Sequence, residues 1–359
     1  MMQSDTYPEL ESLASADVLL CNKYAGHVYG YKNQPIVIYT CFGEVCRFHE
    51  LEELLAKFKA GGSFTIVITH RKYPQSFEQK FNCKIINVKY AYAYYSQQIV
   101  NSLIIPNKTP IKTFLSLNNR AQWNRQALMQ FLIKFNLLDH FYFSYHCRDA
   151  FGVGQKTVYD RTNDIIGQTW YNSNLDLEKL YQLIPITLEN DQFVNHNRWS
   201  STEQDSFYQN YWSAGQEYFY QNSFASFVTE TYIDENGNAF LSEKIMKPLA
   251  YGHPFLVFSS SGALSILQDI GFKTFGDVFD ESYDLIDHPH ERFENLLREV
   301  IRICQFDVHT LENIKNHLVP VIQHNRLHFW DTLPKLYQTE MHTIVDQVGR
   351  LINSLNNCS

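Results

Sequence analysis

Short apolar runs and amphipathic segments alternate along the first third of the chain. The apolar runs, which predict strands, cover residues 17–21, 36–41, 64–69 and 85–88. Between the second and third runs, apolar side chains recur at helical spacing over residues 48–59, and Gly61 with Gly62 follows. This pattern predicts a helix that ends at the glycines. Strands that alternate with helices favour a parallel sheet, which binds ligands beyond the carboxyl ends of its strands.

The same alternation returns after a polar, proline-bounded stretch at residues 106–110, which we interpret as a hinge between domains. Further predicted strands cover residues 114–117, 141–145, 224–229 and 254–258. Further predicted helices cover residues 121–138, 204–220, 291–304, 309–323 and 341–355. The pattern therefore predicts a second α/β unit that is followed by C-terminal helices.

The densest local pattern lies in residues 223–262. A buried strand there is predicted to end at Glu230, and after a polar loop Ser242 stands at a helix N-cap position. Gly252 marks the expected end of this helix. Pro248 is expected to interrupt it after about a turn and a half. The stretch thus predicts a strand, a loop, a helix and a second strand.

Glu243 and Lys244 occupy the first turn of that helix. Unsatisfied backbone N–H groups and the helix dipole favour an anion at this end. Lys244 is suited to a diphosphate, and the Glu243 carboxylate is suited to a pair of ribose hydroxyls. The alternative is structural, because an acidic residue in a first turn is favourable through the dipole alone and a neighbouring lysine is often only solvated.

Two arginines lie near the carboxyl end of the predicted strand 114–117. Arg120 follows the strand, and Arg125 falls in the first turns of the next helix. A cation is unfavourable to the helix dipole at that end but useful to a bound anion, so both arginines are candidate phosphate ligands. A surface salt bridge is the alternative interpretation of Arg125.

The order VTET, SEK, a small residue with glycine, and PF before an apolar strand resembles the donor-binding domain of fucosyltransferase-like enzymes, including bacterial and phage relatives. The following GFKTFGDVFDESYD and the earlier LNNRAQWNR resemble segments of the same family, and the likeness covers roughly residues 110–300. The resemblance implies that Glu243 contacts the ribose of a sugar nucleotide and that Lys244 and Arg120 contact its phosphates. We assign Glu230, which lies near the sugar or orders the loop, to the same donor site, together with Arg125 and Ser242.

The resemblance also implies an α/β chain of the GT-B fold, with two Rossmann-like domains facing a cleft and a C-terminal helical segment. The expected divisions are an acceptor domain over residues 1–108, a donor domain over residues 109–308, and helices over residues 309–359 that pack back on the domains. The implied function is transfer of a sugar from a nucleoside diphosphate sugar to an acceptor hydroxyl of a bacterial or phage glycan. Neither a metal nor a cofactor is expected beside the donor substrate.

A general base is expected from the first domain, because the acceptor must lose a proton if the reaction inverts the anomeric carbon. Glu44 and His70 are the candidates by position, since each follows a predicted strand. Either residue is alternatively a structural polar group at a strand end.

Two clusters with metal-binding residue types have a structural interpretation. The acidic residues between Asp280 and Glu291 are predicted to cap helices or to pair with Arg292, because no D-x-D motif beside a strand accompanies them. His324 and His328 share a helix face at a spacing that zinc pairs use, but the sequence around them lacks the glutamate of H-E-x-x-H.

Composition narrows the classes of partner. With 30 basic and 38 acidic side chains in 359 residues, the net charge of −8 argues against nucleic-acid backbone as the main partner. The 7 cysteines contain no C-x-x-C pair and predict reduced thiols. The polar start MMQSDTYPELES does not resemble a signal peptide and no long apolar run occurs, so a cytoplasmic protein without a transmembrane segment is expected.

Two alternative functions stay open beside glycan synthesis. One is glycosylation of a modified base in DNA, as some phage glycosyltransferases perform. The other is nucleotide binding without catalysis on a GT-B frame, because a fold supports many functions.

Overall fold

The computed structural model describes residues 19–22, 36–39, 48–70, 73, 75–99, 109–120, 122–148, 186, 188, 217–230, 233 and 241–357. These residues form two units. The first unit contains the described residues up to Tyr94 together with those from Asp331 onward, and the second runs from Tyr95 to Trp330.

The secondary structure follows the alternation of the sequence. The strands are β1 Leu19–Asn22, β2 Ile36–Tyr39, β3 Thr65–Thr69, β4 Cys83–Asn87, β5 Lys112–Arg120, β6 Phe141–Arg148, β7 Ser223–Thr229 and β8 Phe255–Phe258. The α-helices are α1 Phe48–Ala60, α2 Gln75–Phe81, α3 Tyr94–Gln98, α4 Trp123–Lys134, α5 Glu217–Gln221, α6 Glu243–Tyr251, α7 Ala263–Asp269, α8 Pro289–Cys304, α9 Val308–Leu327 and α10 Leu333–Asn356.

The first unit is built on a parallel sheet with the strand order β1-β2-β3-β4. Every residue of β3 is buried, as expected for a parallel strand that is covered on both faces. Ile38 and Val67 pack in one core with Leu51 and Leu55 of α1 and with Phe81 of α2. The predicted helix over residues 48–59 is therefore confirmed, and its apolar stripe explains its position.

Helix α10 also belongs to the first unit. Its Glu340 side chain accepts hydrogen bonds from the backbone N–H groups of Lys89 and Tyr90, each at 2.8 Å. Met341, Ile344 and Val348, one helical face of α10, are buried. The chain therefore returns to its first unit through an amphipathic helix whose apolar face is covered.

The second unit contains a parallel sheet with the strand order β6-β5-β7-β8. The chain starts at β5, moves outward to β6, and then continues on the other side of β5 with β7 and β8. This is the Rossmann-like arrangement, and the direction of winding reverses between β5 and β7. The α/β class with parallel sheets is confirmed in both units, and the described residues contain no helix that is long and apolar enough to cross a bilayer.

The prediction that Pro248 interrupts α6 is wrong, because the helix continues to Tyr251. Ile245, Met246 and Leu249 on this helix are at most 1% exposed. Full burial of each such side chain contributes about 1.5–3 kcal/mol, which together exceeds the cost of about 3 kcal/mol for one internal proline. Gly252 ends the helix as predicted, with φ of 66°.

Helix α9 and the π-helical turn His328–Thr332 anchor the end of α7. His324 and His328 donate through Nε2 to the carbonyl oxygens of Gly271 and Ile270, at 2.9 and 2.8 Å. These bonds confirm the structural interpretation of the histidine pair. They also keep α9 with the second unit, whereas the sequence had placed a domain division before it.

Gly271 is predicted to tolerate no side chain. Its φ of 104° is unfavourable for other residues, and a Cβ would lie 2.5 Å from Cε1 of His328. Gly271→Ala should lower the free energy of unfolding by about 1–3 kcal/mol, measured by urea denaturation. Gly349→Ala is the control, because its Cβ meets nothing within 4 Å and alanine should stabilise α10 by about 0.5–1 kcal/mol. Equal stability of Gly271→Ala and the unmodified protein would contradict this account.

A buried histidine gives the second unit a predicted pH dependence. His253 is 3% exposed, its Nδ1 lies 2.8 Å from Ser226 Oγ, and its Nε2 lies 3.1 Å from the Ser223 carbonyl oxygen. Burial lowers the pKa of His253 to about 3. Because the unfolded chain takes up this proton near pH 6.5, stability should fall as the pH decreases from about 6.5 towards 3, by up to about 1.4 kcal/mol per pH unit.

The test compares acid unfolding of His253→Gln with that of His342→Gln, since His342 is exposed. His253→Gln should lose stability less steeply between about pH 6.5 and 4, whereas His342→Gln should follow the unmodified protein. Identical slopes in the two variants would contradict the assignment of this dependence to His253.

Candidate functional site

The carboxyl ends of β5 and β7 form the candidate functional site of the second unit. The winding of the sheet reverses between these strands, and doubly wound sheets bind their ligands at the edge where this reversal occurs. Asn118 and Arg120 end β5, and Thr229 with Glu230 ends β7. The N-termini of α4 and α6 follow these strands.

Buried side chains connect the two strands at this edge. Thr229 Oγ1 donates a hydrogen bond of 2.7 Å to Asn118 Oδ1 across the sheet. Asn124, in the first turn of α4, donates through Nδ2 to the Glu230 carbonyl oxygen at 2.8 Å. Asn118, Asn124 and Thr229 are at most 4% exposed. Their bonds fix the ends of β5 and β7 and the start of α4 relative to one another.

Glu230 fixes the start of α6. Its carboxylate accepts the backbone N–H of Ser242 at 2.9 Å and also the Ser242 hydroxyl. Ser242 is the N-cap, and its Oγ accepts the backbone N–H of Lys244 at 3.2 Å. The predicted cap is therefore confirmed, and the carboxylate extends it by linking the helix to the end of β7.

Glu230 is fully buried, and this burial raises the pKa of its carboxyl above the ordinary value. Lys244 and the two Ser242 donors oppose the shift, while Glu243 adds to it. A buried carboxyl is stable only with such donors, because an unpaired buried charge is costly. Glu230 therefore has a structural function at this edge, since it holds the start of α6 against the end of β7.

Glu243 and Lys244 pair with each other in the first turn of α6. The distance from Lys244 Nζ to Glu243 Oε1 is 2.6 Å, and their side chains are 27% and 16% exposed for Lys244 and Glu243 respectively. Burial raises the pKa of Glu243, but Lys244 and Lys247 outweigh burial and hold it below its ordinary value. The pair is thus partly accessible at a helix N-terminus, the position that the sequence had predicted.

The two arginines that were predicted to bind phosphate, Arg120 and Arg125, lie at the end of β5 and in α4. Arg120 is the last residue of β5, so its backbone lies at the expected edge, while its side chain lies outside the described part. Arg125 is the third residue of α4 and is only 3% exposed. Arg125 is therefore a buried side chain and not a surface one.

The candidate bases belong to the first unit. His70 follows β3 at its carboxyl end, is partly buried, and contacts Tyr92 with 5.7 Å between ring centroids in an edge-to-face arrangement. Glu44 lies outside the described residues.

Asp284 and Arg292, in the segment after β8, make structural hydrogen bonds to backbone groups. Asp284 accepts the backbone N–H groups of Ala263 and Leu264 at 3.1 and 2.9 Å, and so caps α7. Arg292 donates to three backbone carbonyls, among them that of Ser259 at 2.9 Å. Within the described part of the chain, no group of three or more His, Cys, Asp or Glu side chains is arranged to hold a metal ion.

Sequence reasoning missed Asn118, Asn124 and Thr229. Each is a common polar residue, and nothing in a single sequence distinguishes a buried amide from an exposed one. The available signal was position, since Asn118 and Thr229 end apolar strands and Asn124 starts a helix. Comparison with protein-family models and with curated proteins found no match to this chain.

Glu230→Ala should lower the free energy of unfolding by about 2–4 kcal/mol, because it leaves the buried Ser242 N–H without its acceptor. Glu340→Ala is the matched control: that carboxylate also accepts two hydrogen bonds, both from backbone N–H groups, but it is partly exposed, so water can replace it. Glu340→Ala is expected to lower the free energy of unfolding by about 1 kcal/mol. Urea denaturation measures both values, and a smaller loss for Glu230→Ala than for Glu340→Ala would contradict the structural function of Glu230.

Proposed function

We propose that this chain is a glycosyltransferase of the GT-B fold that transfers a sugar from a nucleoside diphosphate sugar to an acceptor hydroxyl. The observation that carries the proposal is the charged pair Glu243–Lys244, which lies in the first turn of α6 at the edge where the sheet winding reverses. This edge is where doubly wound sheets bind nucleotides. The resemblance of residues 223–262 to fucosyltransferase-like enzymes supports the same assignment.

The proposed donor site uses groups that the fold already holds in position. The positive end of the α6 dipole attracts the diphosphate, and Lys244 turns from Glu243 towards the phosphate oxygens. Glu243 then accepts hydrogen bonds from the two ribose hydroxyls. Arg120 and Arg125 add positive charge from the neighbouring strand end and from α4, which makes the site selective for anions.

The proposed reaction breaks the bond between the anomeric carbon and the diphosphate oxygen, which leaves with the electron pair. The acceptor oxygen forms the new bond to the anomeric carbon and loses its proton to a base. Lys244 and the helix N-terminus stabilise the charge that develops on the diphosphate. His70 and Glu44 are the proposed bases.

The first test is thermal unfolding of the full chain with GDP, UDP, CDP and ADP. A ligand at 100 times its dissociation constant stabilises the folded state by about 2.7 kcal/mol, so the matching nucleotide should raise the melting temperature selectively. Release of that nucleotide from its sugar conjugate then measures catalysis. A shift without release would support the non-catalytic alternative, and no shift with any nucleotide would contradict the proposal.

Lys244→Ala should weaken binding of the nucleoside diphosphate about tenfold or more and leave binding of the nucleoside nearly unchanged. The reason is that the phosphates are the only part of the nucleotide that the lysine contacts in the proposed site. Isothermal titration calorimetry measures both affinities. Lys335→Ala is the control, since that lysine is 71% exposed and pairs with Asp331 in the first unit. Equal losses for diphosphate and nucleoside in Lys244→Ala would show that Lys244 supports the fold instead.

A further inference from the structure

Asn124 occupies a special position at the candidate site. It is the second residue of α4, a helix of 12 residues, and is 1% exposed. Its Nδ2 donates to the carbonyl oxygen of Glu230, which follows β7. The side chain therefore extends from the start of α4 across the edge between β5 and β7.

This hydrogen bond fixes the orientation of the amide. A backbone carbonyl only accepts hydrogen bonds, so the amide nitrogen of Asn124 must face Glu230 and the amide oxygen must point away from it. That oxygen is buried and has no hydrogen-bond partner among the described residues. A buried acceptor without a donor is unfavourable, and most such groups in native proteins have a partner.

We propose that Asn124 Oδ1 accepts a hydrogen bond from a hydroxyl group of the bound nucleotide sugar. The inference rests on the proposed function and adds a residue that selects the substrate. An amide oxygen is an acceptor, so it repels phosphate oxygens and attracts hydroxyl hydrogens. Glu243 already accepts the single proton of each ribose hydroxyl in the proposed donor site, so the hydroxyl that Asn124 binds belongs to the transferred sugar.

Gln126 is a second buried amide in α4 whose side chain has no partner among the described residues. Two residues along an α-helix are rotated by about 200°, so Gln126 faces the other side of the helix. It is therefore not assigned to the same hydroxyl.

The test measures affinities of the full chain by calorimetry, with GDP, UDP, CDP and ADP and with their hexose conjugates. Asn124→Ala should weaken binding of the sugar nucleotide about tenfold. The nucleoside diphosphate, which lacks the sugar, should bind Asn124→Ala with nearly unchanged affinity, and equal weakening of both ligands would overturn the assignment. Asn222→Ala is the matched control, because Asn222 is also buried and also donates to a backbone carbonyl, that of Tyr218 at 2.7 Å, but it precedes β7 at the opposite edge.

A second arm uses the unmodified protein and does not depend on whether Asn124→Ala folds. Sugar nucleotides whose transferred sugar lacks single hydroxyls are compared, and one deoxy analogue should bind about tenfold more weakly than its parent. Loss of less than about twofold for every analogue, or equal losses in Asn124→Ala and Asn222→Ala, overturns the assignment of Asn124 and leaves the proposed function intact. If no nucleotide or conjugate binds the unmodified protein, the proposed function falls, and this inference falls with it.

Discussion

The contact between the buried Glu230 carboxylate and Ser242 is the interaction on which the rest of the candidate site depends. A carboxyl in a dry environment needs donors, and the start of α6 provides them with one backbone N–H and one hydroxyl. The same residue accepts Asn124 through its carbonyl oxygen. One position at the end of β7 therefore holds the first turns of both α4 and α6.

This arrangement places charged groups on a rigid support. Lys244 and Glu243 extend from a helix turn whose cap is fixed to the sheet, and the apolar side of that helix is buried. A preorganised turn of this kind loses little conformational freedom when an anion binds. The two residues pair with each other, and in the proposed donor site a phosphate replaces Glu243 as the partner of Lys244. The proposed chemistry thus follows from the packing of α6 as much as from its charges.

Most elements of both sheets were predictable because parallel strands that are buried on two faces are continuous apolar runs, as in residues 224–229. Ser242 and Gly252 were predictable from local capping chemistry. The interruption predicted at Pro248 was wrong because helix propensity does not include the burial of neighbouring side chains in the folded protein. Asn124 was missed because its hydrogen-bond partner lies 106 residues away in the chain. The position of α9 in the second unit was not predictable, because it depends on hydrogen bonds from His324 and His328 to carbonyl oxygens that are distant in the chain. Helical periodicity carries no information on such bonds.

The central claim is that nucleotides bind at the edge formed by the ends of β5 and β7. Hydrogen–deuterium exchange of the full chain, with and without the nucleoside diphosphate that gives the largest thermal shift, locates the binding site directly. The account predicts slower exchange in peptides that cover residues 118–126 and 241–247 and no change in those from α10. Protection confined to other parts of the chain, or none at saturating nucleotide, would contradict it.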